Sequence, residues 1–138
     1  WAWGDNTYGQ LGTTPYSGTN LWSTGALGLN AISMLRKDNT IWTWGLNTSG
    51  QLGDGTTVTK SSPVQILSDK NISKVFRGDT AAFAIDSASR LWAWGNKATY
   101  QLGTGDSINR SSPTQVGTGK FDSVDGAFIN SYGIRKPN

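Results

Sequence analysis

The chain has 138 residues, no Cys, no His and a formal net charge of +3. Without Cys or His it cannot form disulfides, the common zinc sites or the usual Ser-His and Cys-His nucleophile pairs. No apolar run approaches the length of a membrane span, and the basic residues are scattered singly or in pairs, which argues against a specific nucleic-acid surface.

Composition favours strands and turns over helices. There are 18 Gly and 7 Trp, and all nine acidic residues are Asp. Asp, Asn, Ser and Gly favour turns, and the lack of Glu removes a common residue of helix surfaces. We therefore expect a chain that is nearly all β.

A Trp-x-Trp-Gly tetrapeptide occurs three times, and six residues after each of its glycines begins the tripeptide Gln-Leu-Gly. The tetrapeptides are Trp1–Gly4, Trp42–Gly45 and Trp92–Gly95, and the tripeptides are Gln10–Gly12, Gln51–Gly53 and Gln101–Gly103. Self-similarity at about 40 to 50 residues is typical of repeat proteins, whose units bury their apolar faces on their neighbours. The predicted repeats are 1–41, 42–91 and 92–138.

The first repeat is the shortest, and the missing residues lie after Gly12. The irregular connection through Thr13–Gly18 is where a turn is absent relative to the other repeats. Trp22 lies in this divergent stretch with Tyr16. Aromatic residues in loops are common contact residues, so Tyr16 and Trp22 are the candidate binding residues. The alternative is that Trp22 fills the gap left by the deletion. Because the loops vary between repeats, we expect binding specificity in the divergent loop Thr13–Leu27 and in the loops around Asp54–Lys60 and Gly105–Arg110.

Within a repeat the apolar pattern is that of short strands. Two apolar runs, Ala82–Ile85 and Leu91–Trp94, flank a polar connection, which is typical of a β-hairpin. Further strands are predicted at Ile72–Phe76 and Val64–Ile66. Four short strands in about 50 residues correspond to a blade of a β-propeller. The Gly that closes each Trp-x-Trp strand is expected to need a positive φ or a close backbone approach.

The Trp-x-Trp-Gly-x-Asn-x-x-Gly-Gln-Leu-Gly pattern, followed by Ser-Pro, resembles the RCC1 (regulator of chromosome condensation) repeat. Residues 42–53 match it almost throughout, with the loop Asn at Asn47. The third copy departs, because Lys97 replaces the loop Asn and Tyr100 replaces the loop Gly. The resemblance implies a partial RCC1-like β-propeller of about three four-stranded blades, and it implies that the Trp residues of the signature, including Trp44 and Trp94, are buried between blades.

Three blades fill less than half of the seven-bladed ring that the resemblance implies. We therefore expect further blades as partners, either in the same chain or in other subunits, since exposed blade edges invite association.

For function the sequence favours a non-enzymatic scaffold that binds a protein or a surface glycan. A structural or adhesive part of a virion or cell surface is the alternative. A guanine-nucleotide exchange factor for a small GTPase comes third, because no insertion between blades is long enough to reach into a GTPase. No catalytic residue, metal ligand or cofactor is predicted. Gly117–Lys120 lacks the earlier Gly and the following Ser or Thr of a phosphate-binding loop.

Overall fold

A computed structural model describes Thr7 and residues 22–97, 102–126 and 131–135. Within these ranges the chain forms ten β-strands and no helix. The strands make two four-stranded antiparallel sheets and one two-stranded sheet. The prediction of an all-β chain with four-stranded units is therefore confirmed.

Strand order follows chain order in every sheet. The first sheet contains β1 (Trp22–Leu27), β2 (Ala31–Arg36), β3 (Ile41–Gly45) and β4 (Lys60–Ile66). The second contains β5 (Ile72–Arg77), β6 (Ala81–Asp86), β7 (Leu91–Gly95) and β8 (Arg110–Gln115). The third consists of β9 (Phe121–Gly126) and β10 (Ser131–Arg135).

The Trp-x-Trp tetrapeptide forms the third strand of a sheet, as β3 and β7 show. A sequence unit that begins at Trp42 therefore supplies the last two strands of the first sheet and the first two of the second. The sequence repeat is out of phase with the sheets, so each repeat contributes strands to two neighbouring sheets.

Residues 22–27 form a regular strand and not part of the divergent loop that we expected from Thr13 to Leu27. β1 pairs with β2 along its length, from Trp22 opposite Arg36 to Leu27 opposite Ile32. The apolar pattern of β1 itself is weak, since most of its residues are exposed. The strand is set by the partner strand rather than by apolar alternation, which is why the sequence pattern missed it.

The glycines that close the Trp-x-Trp strands behave as predicted. Gly45 and Gly95 have φ values of 108° and 106°. A Cβ at Gly45 would lie 2.5 Å from the Asn30 carbonyl oxygen, and one at Gly95 would lie 2.3 Å from that of Thr80. Both the conformation and the close approach therefore require Gly. Gly4 lies outside the described residues.

The hydrophobic core lies between the sheets. Leu35, Ile41 and Ile66 of the first sheet form one buried cluster with residues of the second, namely Ile72, Ala82, Ala84 and Trp94. Trp94 is fully buried and Trp44 is 8% exposed, which confirms that both are core residues. An equivalent cluster joins the second sheet to Phe121 and Val124 of the third.

Backbone hydrogen bonds add to this packing at the β2–β3 and β6–β7 turns. Asn39 and Ser89 both adopt positive φ, at 64° and 63°. The Ile72 amide donates to the Asn39 carbonyl at 2.9 Å, and the Phe121 amide donates to the Ser89 carbonyl at the same distance. Each turn thus fixes the first residue of the next sheet.

We expect Trp94→Ala to lower the free energy of unfolding by about 3 to 5 kcal/mol, because it removes a fully buried indole from the contact between two sheets. Urea denaturation would measure the loss. Leu29→Ala is the control, since Leu29 is 70% exposed and its truncation should cost less than about 0.5 kcal/mol. Equal losses in the two variants would contradict the assignment of Trp94 to the core.

Candidate interaction surface

The strand registers place the connections at two opposite ends of the sheets. We call one end the loop rim; it carries the short β1–β2 and β5–β6 connections and the long β3–β4 and β7–β8 loops (residues 28–30, 78–80, 46–59 and 96–109, of which 98–101 are not described). The other end, the turn rim, carries residues 37–40, 67–71, 87–90 and 116–120. Side chains at these rims are not required for packing between the sheets, so they are free to bind a partner.

The β3–β4 loop is organised around Asn47, whose side chain is fully buried. Its Nδ2 donates to Asp54 Oδ1 at 3.0 Å and to the carbonyl oxygens of Thr56 and Val58 at 3.0 and 3.1 Å. Its Oδ1 accepts from the Leu52 amide at 2.9 Å. The Asn47 side chain thus hydrogen-bonds to backbone groups in the middle and near the end of the loop, which has no regular secondary structure of its own.

The β7–β8 loop uses Lys97 at the equivalent position, and Lys97 is also buried, at 1% exposure. Its Nζ donates to Thr104 Oγ1 and lies 3.1 Å from Asp106 Oδ1. Asp106 is therefore the carboxylate partner of the buried Lys97 ammonium. It also pairs with Arg110. At this departure from the repeat pattern, an ammonium and a carboxylate replace the amide, and the carboxylate lies two residues later in the loop than Asp54 does. Tyr100 lies outside the described residues.

The β3–β4 loop reaches toward the following sheet. The carbonyl oxygen of Gln51 accepts two hydrogen bonds from the second sheet, one from the Trp94 indole at 3.1 Å and one from Arg77 Nη2 at 3.0 Å. A Cβ at Gly53 would lie 2.7 Å from the Trp94 ring. The Gln-Leu-Gly tripeptide is therefore the contact between one blade's loop and the next blade's tryptophan.

Arg77 crosses the same boundary and is held by uncharged partners. Its Nη1 donates to Ser33 Oγ on β2 at 2.9 Å. Burial lowers the pKa of the Arg77 guanidinium to about 10, because desolvation disfavours its charged form. Gly28 makes room for it, since a Cβ there would lie 2.9 Å from Arg77 Nε.

All the large apolar side chains that are exposed among the described residues lie at the loop rim. Leu27 and Leu29 flank the β1–β2 connection at 72% and 70% exposure, and Val58 and Ile108 lie in the two long loops at 60% and 59%. Val58 and Ile108 occupy the same position in successive repeats. The acidic side chains in the two loops are paired, Asp54 with Lys60 and Asp106 with Lys97 and Arg110. The two long loops thus combine exposed apolar residues with paired carboxylates.

The turn rim has a different character. In the first sheet the Arg36 guanidinium lies 5.9 Å from the Trp22 ring centre and 5.5 Å from that of Trp42. In the second sheet, Trp92 Nε1 and Arg90 Nε donate to the buried Asp86 at 3.0 and 2.7 Å. These tryptophans are half-buried and contact charged side chains. The expectation that the signature tryptophans are buried between blades is therefore wrong for Trp42 and Trp92.

The structure separates the residues that the sequence suggested for binding. Trp22 begins β1 at the turn rim, and its ring lies 6.1 Å from that of Trp44. The loops around Asp54–Lys60 and Gly105–Arg110 lie at the opposite rim. Tyr16 lies outside the described residues. The exposed Leu27 and Leu29 were missed, because β1 was not recognised as a strand that ends at the same rim as the long loops.

Two further observations concern the described residues alone. They contain no group of three or more acidic, His or Cys side chains placed to hold a metal ion. In the same ranges, no helix has the length and apolarity needed to cross a membrane.

The family model described as the regulator of chromosome condensation (RCC1) repeat matches residues 38–85 and 89–126. Three solved structures share the fold. Human WBSCR16 has 22% identity and a TM-score of 0.75, covering 87% of this chain. Yeast RCC1 (Prp20) bound to Kap60 has 16% identity and a TM-score of 0.83, and Prp20p from Saccharomyces cerevisiae, studied for its binding to Gsp1p and histones, has 15% and 0.81; each covers 99% of this chain.

This chain spans 36 to 40% of the length of the matched chains in those three structures. No curated protein matches it at a significant level. At such low identity the likeness shows the fold: the sheets are blades of a partial β-propeller.

We expect Asn47→Asp to destabilise the chain by about 3 to 5 kcal/mol at pH 7, because a buried carboxylate would face Asp54 and two carbonyl oxygens. Lowering the pH should reduce the loss by protonating the new carboxyl. Denaturant midpoints at pH 7 and pH 4 would measure both effects. Asn71→Asp, at an exposed turn of the same chain, is the control and should change the midpoint little at either pH.

Stability should fall in acid partly through Asp86. Burial alone would raise the pKa of Asp86, but hydrogen bonds from Trp92 and Arg90 outweigh it and hold that pKa below the ordinary 3.8. The stabilisation is therefore fully present above pH 3.8 and is lost as the pH falls through the lower native pKa.

Urea midpoints between about pH 6 and pH 2 would show this loss, and Asp86→Asn should reduce its steepness. At pH 7 the same variant should cost about 1.5 to 3 kcal/mol. Asp69→Asn is the control, because the Asp69 side chain is 73% exposed and solvent screens its pair with Lys70. If the urea midpoint falls as steeply with pH in Asp86→Asn as in the native chain, Asp86 does not contribute to the loss of stability in acid.

Proposed function

The chain belongs to the RCC1 repeat family, and from this premise we propose that it is a non-enzymatic scaffold that binds a macromolecule through its loop rim. We further propose that it works as part of a larger RCC1-like propeller chain or assembly. The observation that carries the proposal is the clustering of Leu27, Leu29, Val58 and Ile108, the exposed large apolar residues of the described ranges, at one rim.

The loop rim suits a partner that docks on a preformed surface. Asn47 and Lys97 hold the described residues of the two long loops from within, so these residues lose little conformational entropy on binding. Their paired carboxylates leave apolar contacts to provide affinity. A protein fits this surface better than a sulfated or acidic glycan, which would favour unpaired cations.

Relatives support a protein partner in general terms. Yeast RCC1 (Prp20) forms a complex with Kap60, and Prp20p binds Gsp1p and histones. We use these proteins as defined probes rather than as assigned partners, because the chain shares only 15 to 16% identity with the yeast protein.

Trp22, which lies at the turn rim, and Tyr16, which is outside the described residues, remain proposed as a second contact. Trp22 lies beside Trp44 and Arg36, which also supports the alternative that it packs against its own sheet. Substituting Tyr16 and Trp22 together by Ser separates the two roles. Loss of partner binding at an unchanged melting temperature indicates contact, and a lowered melting temperature with binding retained indicates packing.

The scaffold proposal is tested by the double variant Val58→Ser/Ile108→Ser. With purified Kap60, Gsp1p and histones as probes, biolayer interferometry should show binding to the native chain that is weakened at least about tenfold in this variant. Both side chains are mostly exposed, so the melting temperature should stay the same.

The matched control is Lys37→Ser/Lys120→Ser, which changes two exposed residues of the turn rim and should leave binding intact. Binding that is lost in this control and kept in the loop-rim variant would overturn the assignment of the rim. Accelerated nucleotide release from Gsp1p would overturn the scaffold proposal itself in favour of exchange activity.

A further inference from the structure

The last strand of each four-stranded sheet carries the same irregularity. In the first sheet the register shifts so that Trp44 of β3 lies opposite three residues of β4, 61–63, whose sequence is Ser-Ser-Pro. In the second sheet Trp94 of β7 lies opposite residues 111–113 of β8, again Ser-Ser-Pro. Extra residues in one strand of an antiparallel pair form a bulge that departs from the ladder of hydrogen bonds. Both Ser-Ser-Pro segments are therefore bulges in otherwise regular strands.

The second serine of each bulge has an accessible hydroxyl group. Ser62 and Ser112 are exposed, and neither hydroxyl makes a hydrogen bond within the part of the chain that the structure describes. The first serine of the second bulge differs, because it packs on the preceding β3–β4 loop. The Gly55 amide donates to the Ser111 carbonyl oxygen at 2.8 Å, and a Cβ at Gly50 would lie 2.5 Å from the Ser111 Cα. Contact between the sheets thus explains Ser111 but does not use the Ser112 hydroxyl.

The proline that ends each bulge has a structural role of its own. β4 and β8 are the last strands of their sheets, and a Pro in an edge strand discourages pairing with another chain. Pro also keeps the residue before it extended, which is the conformation in which protein kinases bind the residues around an acceptor serine. Ser62-Pro63 and Ser112-Pro113 therefore combine an exposed hydroxyl with the dipeptide that proline-directed kinases select.

The basic residue two positions before each of these serines is already paired. Lys60 lies 3.8 Å from Asp54, and Arg110 pairs with Asp106. A kinase that recognises basic residues ahead of the serine binds them through its own carboxylates, and it would have to break these pairs. The proline after the serine, and not the cation before it, is therefore the feature that a kinase can recognise on the folded chain.

We propose that Ser62 and Ser112 are phosphorylation sites for a proline-directed serine kinase. The serine Oγ attacks the γ-phosphorus of ATP, and an Oγ–P bond forms as the bond from that phosphorus to the bridging oxygen breaks. ADP leaves, and the hydroxyl proton passes to the catalytic carboxylate of the kinase. Both serines lie on β4 and β8 and not in the loop rim, so the inference goes beyond the proposed function.

The modification would change the charge of the chain. Each phosphate carries about −1.5 to −2 charges at neutral pH. Two phosphates together bring about −3 to −4, which takes the formal net charge from +3 to between about 0 and −1. A chain with a basic surface would thus become neutral or weakly acidic, with the new charge on the last strands of two sheets.

Incubation of the folded chain with ATP and a purified cyclin-dependent kinase tests the proposal. Trypsin cleaves after Lys60 and Arg110, so each site lies in a peptide that begins with its Ser-Ser-Pro segment, residues 61–70 and 111–120. Fragment-ion mass spectrometry should place one phosphate on Ser62 and one on Ser112. The same assay separates both sites from Thr14-Pro15, which lies outside the described residues. A kinase that requires basic residues should leave both serines unmodified.

Two double variants show whether the proline is recognised. Pro63→Ala/Pro113→Ala keeps both hydroxyls and should slow phosphorylation at least about tenfold, because the proline pocket of the kinase is left unfilled. The matched control Ser61→Ala/Ser111→Ala should be modified at the native rate. Far-UV circular dichroism and melting temperature would confirm that the variants stay folded. Asp86→Asn, which lowers stability at the turn rim, should also be modified at the native rate, since the serines are accessible without unfolding.

The decisive comparison is between the folded chain and a peptide of residues 107–117. If the peptide is phosphorylated and the folded chain is not, the fold shields the serines and the proposal is overturned. A peptide that is itself not modified overturns it as well. So does phosphate on Ser61 or Ser111, or faster modification in Asp86→Asn, which would mean that the kinase acts on the unfolded chain.

Discussion

The carbonyl oxygen of Gln51 accepts two of the hydrogen bonds that join the first two blades. It accepts from the Trp94 indole and from the Arg77 guanidinium of the next sheet. Apolar burial between sheets supplies most of the stabilisation but does not fix orientation. Two donors that converge on one backbone oxygen fix the distance and angle between sheets, provided that the loop holding that oxygen is itself rigid.

That condition explains why the loop is built around a buried polar residue. Asn47 links the Leu52 amide to the end of the loop at Val58, so the Gln51 carbonyl is held from both sides. In the next loop Lys97 has the sequence position of Asn47, and its buried ammonium has Asp106 as carboxylate partner. The two loops therefore differ in electrostatic cost, since a buried ion pair must offset the desolvation of both charges.

Sequence reasoning recovered the parts of the fold that each repeat encodes locally. The Trp-x-Trp strands, the glycines that end them and the burial of Trp44 and Trp94 follow from the alternation of strand side chains and from the needs of the backbone. β1 could not be found in this way, because its pairing with β2 and not its composition makes it a strand. The two rims could not be found either. Which loops share an end depends on strand direction and register, so the separation of Trp22 from Val58 became visible only in three dimensions.

The two contacts between sheets differ where the repeats differ. In the first sheet Ser33 is buried and accepts from Arg77, whereas the equivalent residue of the second sheet is Phe83, buried in an apolar cluster with Phe121 and Val124. By register the place of Arg77 is taken in the third sheet by Gly126. An arginine against a phenylalanine would leave a buried guanidinium without its hydroxyl partner, and a glycine against Ser33 would leave a cavity beside a buried hydroxyl. Chain connectivity already fixes which sheet follows which, so the apolar faces drive stacking, and the Ser33–Arg77 pair makes the first contact specific to the residues that meet there.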